Sequence, residues 1–316
     1  MKTISLGNHL QGSILCLGTL RFGWTVSKER SYQILDYYVE AGGTFLDTAN
    51  IYGKRGTERI GGLSENLLGE WMADRKNRDG LVIATKVGFD YTGTQAGLSS
   101  RQVIEECDKS LKRLQTDVID LYYAHLDDRK TPLEETAEAF QRLIQSGKVK
   151  EIGASNFSAW RLAEARFISQ FKGWTPYCCI QQRHTYLRPR PGTTFSPQVA
   201  ANDELIDYCA ASGAALLAYS PLLSGAYTRS DRSFAPQYAG PDSDARLAAL
   251  HKVANEVGAT PNQVVLAWML QSTPPVIPLV TGSSLDQLKE NFKAQDLHLS
   301  VEQVTLLNQA GQSETA

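Results

Sequence analysis

Eight short runs of apolar and β-branched residues, each followed by a longer stretch with helical spacing, constrain this chain more than any other feature. The runs cover residues 14–17, 44–47, 81–86, 118–125, 149–154, 178–182, 215–219 and 276–280. Several are apolar nearly throughout, as strands covered on both faces should be. Between them lie helical patterns at 28–41, 65–74, 99–114, 133–146, 159–172, 203–212 and 285–293. Strands alternating with helices give a parallel α/β sheet, and eight is the number that closes a (β/α)₈ barrel. Helical stretches at 247–257 and 261–271 fall before the eighth strand, and 300–310 adds a terminal helix. Apolar pieces ahead of residue 14 suit a hairpin closing the barrel bottom. The segment 227–244, rich in Ser, Arg, Pro and Gly, is expected to be the least ordered and to lie over the mouth.

Length and charge agree with this. A barrel of this type needs about 250 residues, so the 316 residues are read as one domain, 1–316, with loop insertions. A formal net charge of −2 gives no reason to expect a nucleic-acid or membrane surface. No apolar run reaches the ~20 residues of a membrane span, and the N-terminus lacks a signal-peptide core. Cys16, Cys107, Cys178, Cys179 and Cys209 form no C-x-x-C pair, so free thiols in a reducing cytoplasm are expected. No metal site is expected.

The chemistry sits where strands end. Asp47 ends the second strand, Lys86 the third and His125 the fourth, with Tyr52 just beyond the second. Adjacent barrel strands deliver these groups to one face, the carboxyl-end face where such folds carry their chemistry. Taken singly, a strand-end lysine is ordinarily a snorkelled surface charge and a histidine in an apolar run a core group. Together they suit proton transfer to a carbonyl. A free tyrosine titrates near ~10, and a neighbouring ammonium lowers that value. Asp47 would keep Lys86 charged, and His125 would hydrogen-bond the carbonyl oxygen.

At this point the chain resembles the aldo-keto reductase superfamily, from about residue 5 to 310. The matching segments are Phe45-Leu46-Asp47-Thr48-Ala49 with Tyr52-Gly53, Ser64-Glu65-Asn66-Leu67-Leu68-Gly69, Ile83-Ala84-Thr85-Lys86-Val87-Gly88 and Asp117-Val118-Ile119-Asp120-Leu121-Tyr122. Gly147-Lys148-Val149 with Ile152-Gly153-Ala154-Ser155-Asn156-Phe157, and Tyr219-Ser220-Pro221-Leu222, complete the set. The resemblance implies a catalytic four of Asp47, Tyr52, Lys86 and His125, with Tyr52 the proton donor. It also implies an extended nicotinamide cofactor, NADP(H) favoured and NAD(H) possible. Ser155, Asn156 and Gln181 match its carboxamide-binding positions, and Tyr219 the aromatic under the nicotinamide. Ser220, Leu222 and Gly225 match the loop along the pyrophosphate. Gly282, Ser283, Gln287 and Asn291 match the adenosine end.

The chain departs from the family pattern in places. The 53–63 link is longer than usual, and Gln182-Arg183-His184-Thr185-Tyr186-Leu187 is unlike the common sequence after strand six. The 281–291 segment holds one base, Lys289, where members preferring the 2′-phosphate usually carry more. The expected activity is reduction of an aldehyde or ketone to an alcohol. Asp127, Asp128, Arg183 and His184 point to a polar mouth and a sugar- or polyol-derived carbonyl. The other readings are a cofactor-binding redox sensor with negligible turnover, and a Schiff-base lyase using Lys86.

Overall fold

The computed structural model describes residues 1–311. The chain opens with an antiparallel hairpin, β1 (Thr3–Leu6) and β2 (Leu10–Ser13). Next come β3 (Cys16–Gly18), α1 (Lys28–Glu40) and β4 (Phe45–Asp47). A second small hairpin, β5 (Lys54–Arg55) and β6 (Glu58–Arg59), occupies the long 53–63 link. The barrel continues through α2 (Leu63–Arg75), β7 (Val82–Val87), α3 (Ser100–Leu114), β8 (Ile119–Ala124), α4 (Leu133–Gln145), β9 (Val149–Ser155) and α5 (Ala159–Lys172). Then follow β10 (Cys179–Arg183), α6 (Asp203–Ser212), β11 (Ala215–Tyr219), α7 (Pro241–Val257), α8 (Pro261–Leu270), β12 (Val276–Val280), α9 (Leu285–Phe292) and α10 (Val301–Gln309). Strands β3, β4 and β7–β12 pair in parallel and close on themselves, a (β/α)₈ barrel with helices outside. The extra helices α7 and α8 precede the eighth barrel strand, and α10 is terminal, as the sequence predicts.

Local chemistry explains the boundaries. Ser99 caps α3 by accepting from the Gln102 amide, and Val103, Cys107, Leu111 and Leu114 bury the stripe behind it. Thr260 and Gln263 form a capping box on α8, and Ser300 and Gln303 do the same on α10.

Side-chain parity divides the core in two. One cluster lies between strands and helices. The other lies inside the barrel and contains Cys16, Phe45, Val82, Ala84, Leu121, Tyr123, Cys179, Leu217, Ile277 and Leu279. Leu6 and Leu10 of the first hairpin belong to the inner cluster. The hairpin therefore floors the barrel, and its turn is held by Glu151, whose Oε1 accepts from the Asn8 and His9 amides at 2.9 and 3.1 Å. Because strand side chains alternate, the inner set climbs each strand in steps of two. Phe45 leads to Asp47, Ala84 to Lys86, Tyr123 to His125, Cys179 to Gln181 and Leu217 to Tyr219.

Two expectations change. The 227–244 segment is anchored: the Tyr227 hydroxyl bonds Thr185 Oγ1 at 2.7 Å and accepts from the Leu187 amide at 3.2 Å, and Tyr238 is buried. Its polar composition hid two aromatic anchors. Helix α7 also begins six residues earlier than its apolar spacing suggests, because Pro241 fits a first helical turn.

Truncating the floor should be costly. Leu6→Ala leaves a cavity in a fully buried site, and a loss of about 2–5 kcal/mol is expected in urea unfolding. A loss below about 1 kcal/mol would show that the hairpin does not seal the core.

Candidate active site

The top inner positions converge on Lys86, which has no exposed surface. Its ammonium donates to Asp47 Oδ1 at 2.5 Å, to the Thr48 carbonyl at 2.7 Å and to the Tyr52 hydroxyl at 3.3 Å. An ammonium has three donors, so all are engaged. That leaves no lone pair for Schiff-base attack. Asp47 completes its shell by accepting from Gln181 Nε2 at 2.8 Å. The Tyr52 and His125 rings meet edge to face at 6.0 Å, and Phe89 packs edge-on against His125 at 4.7 Å. The four predicted residues thus share one site.

Tyr52 is aimed by the loop that carries it. The Ser64 hydroxyl donates to the Thr19 carbonyl and bonds both Thr19 Oγ1 and Thr48 Oγ1, pinning the loop start to α2. Asn50 donates to buried Glu106 at 2.7 Å, which also accepts from Tyr91 and Lys109. The Glu65 carboxylate accepts from Thr85 and Arg113, both at 2.6 Å.

Electrostatics assigns protonation states. Burial on its own lowers the Lys86 pKa, but Asp47 and Tyr52 more than offset it, and the ammonium is held above its ordinary value. Burial pushes the Tyr52 phenol up, and the Lys86 charge offsets this only in part. The expectation that Lys86 brings Tyr52 below its ordinary value therefore does not hold in this structure, because desolvation outweighs the neighbouring charge. Burial, reinforced by Lys86, lowers His125 well below the usual histidine value. His125 Nδ1 is buried without a hydrogen-bond partner among the described residues. His125 is therefore a neutral imidazole across ordinary pH.

A second group borders the first. Asn156 sits in the left-handed region at φ 61°, a conformation asparagine tolerates better than most residues. Its Nδ2 donates to the His125 carbonyl at 2.9 Å and to Ser155 Oγ at 3.1 Å. Its Oδ1 accepts from the Tyr219 hydroxyl at 2.7 Å and the Val199 amide at 3.1 Å. Gln182, visible in the sequence only as part of an atypical segment, holds this turn by accepting from the Asn156 amide and donating to the Phe157 carbonyl.

The aldo/keto reductase family model matches residues 14–312. The chain belongs to the aldo/keto reductase family. It is 34% identical to the norsolorinic acid reductase stcV of Emericella nidulans, over 92% of this chain and 76% of that one. It is 29% identical to an aryl-alcohol dehydrogenase [NADP(+)] of Phanerodontia chrysosporium, over 97% of this chain and 84% of that one. The solved structure of the thermostable aldo-keto reductase Tm1743 in complex with epalrestat superposes with a TM-score of 0.77 at 30% identity, covering 98% of this chain and 99% of that one. The protein is thus an oxidoreductase of a carbonyl-reducing family that uses nicotinamide cofactors.

In this aldo-keto reductase the loop after β11 turns through Ser220 at φ 57°, and the Gly225 amide donates to the Leu222 carbonyl. Gly282 and Ser283 precede α9, where Gln287 Oε1 accepts from the Ser283 amide and hydroxyl, and Asn291 is buried. The groups read as a polar mouth are committed elsewhere. Arg161 pairs with Asp127 at 3.1 Å, and Asp128 accepts from the Leu98 and Lys130 amides and from Thr131. Arg183 lies over Phe195, and burial drives His184 down to about 4 beside Trp268. These contacts engage the polar groups on which the expectation of a sugar- or polyol-derived carbonyl rested. A side chain's polarity is visible in sequence, but its satisfaction by neighbours is not. All five cysteines are free thiols, and no helix among the described residues is long and apolar enough to cross a membrane.

Titration of ¹³C-labelled histidine should show His125 neutral well below its ordinary ~6.5. Its folded pKa lies under the unfolded one, so this contribution to stability holds above about pH 6.5 and is lost as pH falls toward the folded value. A His125 resonance titrating at ~6.5 or above would contradict the assigned neutral state.

Proposed function

We propose that this enzyme reduces an aromatic aldehyde or ketone to its alcohol with NADP(H), Tyr52 delivering the proton. The observation that carries the reading is the Tyr52 hydroxyl 3.3 Å from a buried, fully engaged lysine ammonium, with a neutral histidine alongside. A reduced nicotinamide dinucleotide, when bound, supplies the hydride. Ser155, Asn156 and Gln181 fit its carboxamide, because hydroxyl and amide side chains beside the mouth combine donors with acceptors. Asn156 would exchange its Tyr219 contact for the ligand, freeing the Tyr219 ring to lie along it.

The protein's own groups then divide the work. Tyr52 gives its proton to the oxygen that gains charge, and Lys86 compensates the phenolate left behind. Asp47 keeps Lys86 charged and is itself steadied by Gln181. Neutral His125 orients the carbonyl oxygen without competing as an acid. Phe89 against His125, with half-buried Trp24 near the mouth under Lys54, supports a flat aromatic substrate. The names of the norsolorinic acid and aryl-alcohol relatives point the same way.

For the cofactor, Ser220, Leu222 and Gly225 would follow the pyrophosphate. Gly282, Ser283, Gln287 and Asn291 would border the adenosine. The one base in that segment, Lys289, lies over Tyr37. Arg229 folds back over Gly225 and is held by Asp231 at 2.9 and 2.5 Å. Such an exposed pair is weak, so Arg229 is free to turn to a 2′-phosphate.

Tyr52→Phe should leave NADPH affinity within a few-fold while reduction of an aromatic aldehyde falls by at least ~10², the usual loss of a positioned general acid. Near-normal turnover would remove Tyr52 from this role. Arg229→Gln should raise the KM for NADPH roughly tenfold, about 1.4 kcal/mol, and leave that for NADH unchanged. Equal effects on both would show that Arg229 does not read the 2′-phosphate.

A further inference from the structure

The long 53–63 link beside Tyr52 is anchored from outside the barrel. Glu106 sits on α3 with only 2% of its side chain exposed. Its Oε2 accepts from Asn50 Nδ2 and from the Tyr91 hydroxyl, both at 2.7 Å, and its Oε1 accepts from Lys109 at 2.6 Å. Lys109 is half-exposed, so its pairing is the weak one. The other two bonds reach the loops that follow β4 and β7, which are neighbours in the barrel.

Each of those two donors stands two residues from a side chain of the site. Asn50 precedes Tyr52, and Tyr91 follows Phe89, whose ring packs edge-on against His125. The Asn50 amide N–H donates to the Lys86 carbonyl at 3.2 Å, and the Asn50 carbonyl accepts from the Gly62 amide at 2.8 Å. Asn50 thereby ties the return of the link to the strand that carries Lys86. Its Oδ1 is buried with no hydrogen-bond partner among the described residues, so the side-chain amide is oriented through Glu106. Tyr91 packs against the same link. A Cβ on Gly61, itself at φ 66°, would lie 2.7 Å from the Tyr91 ring. Next to it, Thr92 donates its amide to the Arg59 carbonyl and its hydroxyl to Glu58, both at 2.8 Å. The link, the 89–94 turn and α3 are thus bonded into one unit around a single carboxylate oxygen.

With Tyr52 as the proton donor, the reading on which this rests, we propose that Glu106 is a positioning residue that sets Tyr52 and Phe89 relative to each other from outside the barrel. Asn50 carries one arm and Tyr91 the other. Without the carboxylate both donors lose their shared acceptor, and the two loops move independently. A displacement of about 1 Å at a reacting group costs up to ~10² in rate. The arms act on different steps. The Asn50 arm aims the proton and so governs kcat, whereas the Tyr91 arm sets the wall that receives the substrate and so governs KM.

Steady-state reduction of an aromatic aldehyde with NADPH separates the arms. Asn50→Ala should lower kcat at least about tenfold, with the aldehyde KM held within about twofold. Tyr91→Phe should raise that KM about fivefold, as expected for one lost hydrogen bond, with kcat held within about twofold. Glu106→Ala should show both effects while NADPH affinity, read by fluorescence titration, stays within about twofold, because the residues expected to hold the cofactor lie on or after β9, β10, β11 and β12. Glu106→Gln keeps an acceptor for both donors and should restore kcat to within about threefold. A Glu106→Ala enzyme with unchanged kcat and KM would overturn the proposal. So would a Glu106→Gln enzyme as damaged as Glu106→Ala, or a loss of NADPH affinity that matches the loss of turnover. If Glu106→Ala does not fold, the two arm variants decide, and kcat and KM moving together in both, or in neither, overturns the proposal. The two readings fail separately. Near-normal turnover in Tyr52→Phe removes the proton donor and the proposal with it, whereas normal kcat in Asn50→Ala beside a defective Tyr52→Phe overturns only the role of Glu106.

Discussion

The ion pair between Asp47 and Lys86 is the constraint around which the barrel mouth is arranged. Both groups are withdrawn from water, and burying either one alone costs several kcal/mol. The pair is supported on both sides, with Gln181 donating to Asp47 and the Thr48 carbonyl accepting from Lys86. Three strands must then hold register to keep these contacts. Asp47 comes from β4, Lys86 from β7 and Gln181 from β10, across the barrel. Removing either charge strands the other, an effect worth about 3–5 kcal/mol in comparable pairs.

That arrangement also determines what Tyr52 can do. The hydroxyl lies in a desolvated site that favours the neutral phenol, next to a cation that favours the phenolate. A proton donor needs that opposition, since the phenol must hold its proton until the substrate oxygen draws it away. The supporting contacts are as specific as the four central residues. Ser64 links the loop start to α2, and Gly69 lies so close to the Arg113 carbonyl that a Cβ would approach it to 2.3 Å.

The sequence made the barrel legible because its strands are buried on both faces and its helices carry capping residues. All eight barrel strands and the extra helices before β12 and at the C-terminus follow from that pattern. Asp47, Lys86 and His125 were readable as strand-end groups. Tyr52, outside any strand, was readable as a titratable group just beyond the second, and the family resemblance singled it out as the expected proton donor. Other features were invisible because they depend on contacts between distant parts of the chain. Gln182 looks like one more polar residue until its amide is seen holding the Asn156 turn. Asp127, Asp128, Arg183 and His184 read as mouth polarity but are engaged with Arg161, backbone amides, Phe195 and Trp268. The direction of the Tyr52 shift also escaped the sequence, which shows the neighbouring lysine and not the depth of burial.

The central claim is that Lys86 makes Tyr52 a stronger acid than burial alone would allow. The most direct measurement is the pH profile of kcat for carbonyl reduction at saturating cofactor and substrate, in the unaltered enzyme and in Lys86→Met. In the proposed mechanism the protonated phenol is the active form, so reduction should be lost as pH rises through the Tyr52 pKa. Without the ammonium, the falling limb should move to higher pH and the plateau should drop, since the phenol is then the weaker acid. A limb that stays in place, or moves to lower pH, would contradict the account.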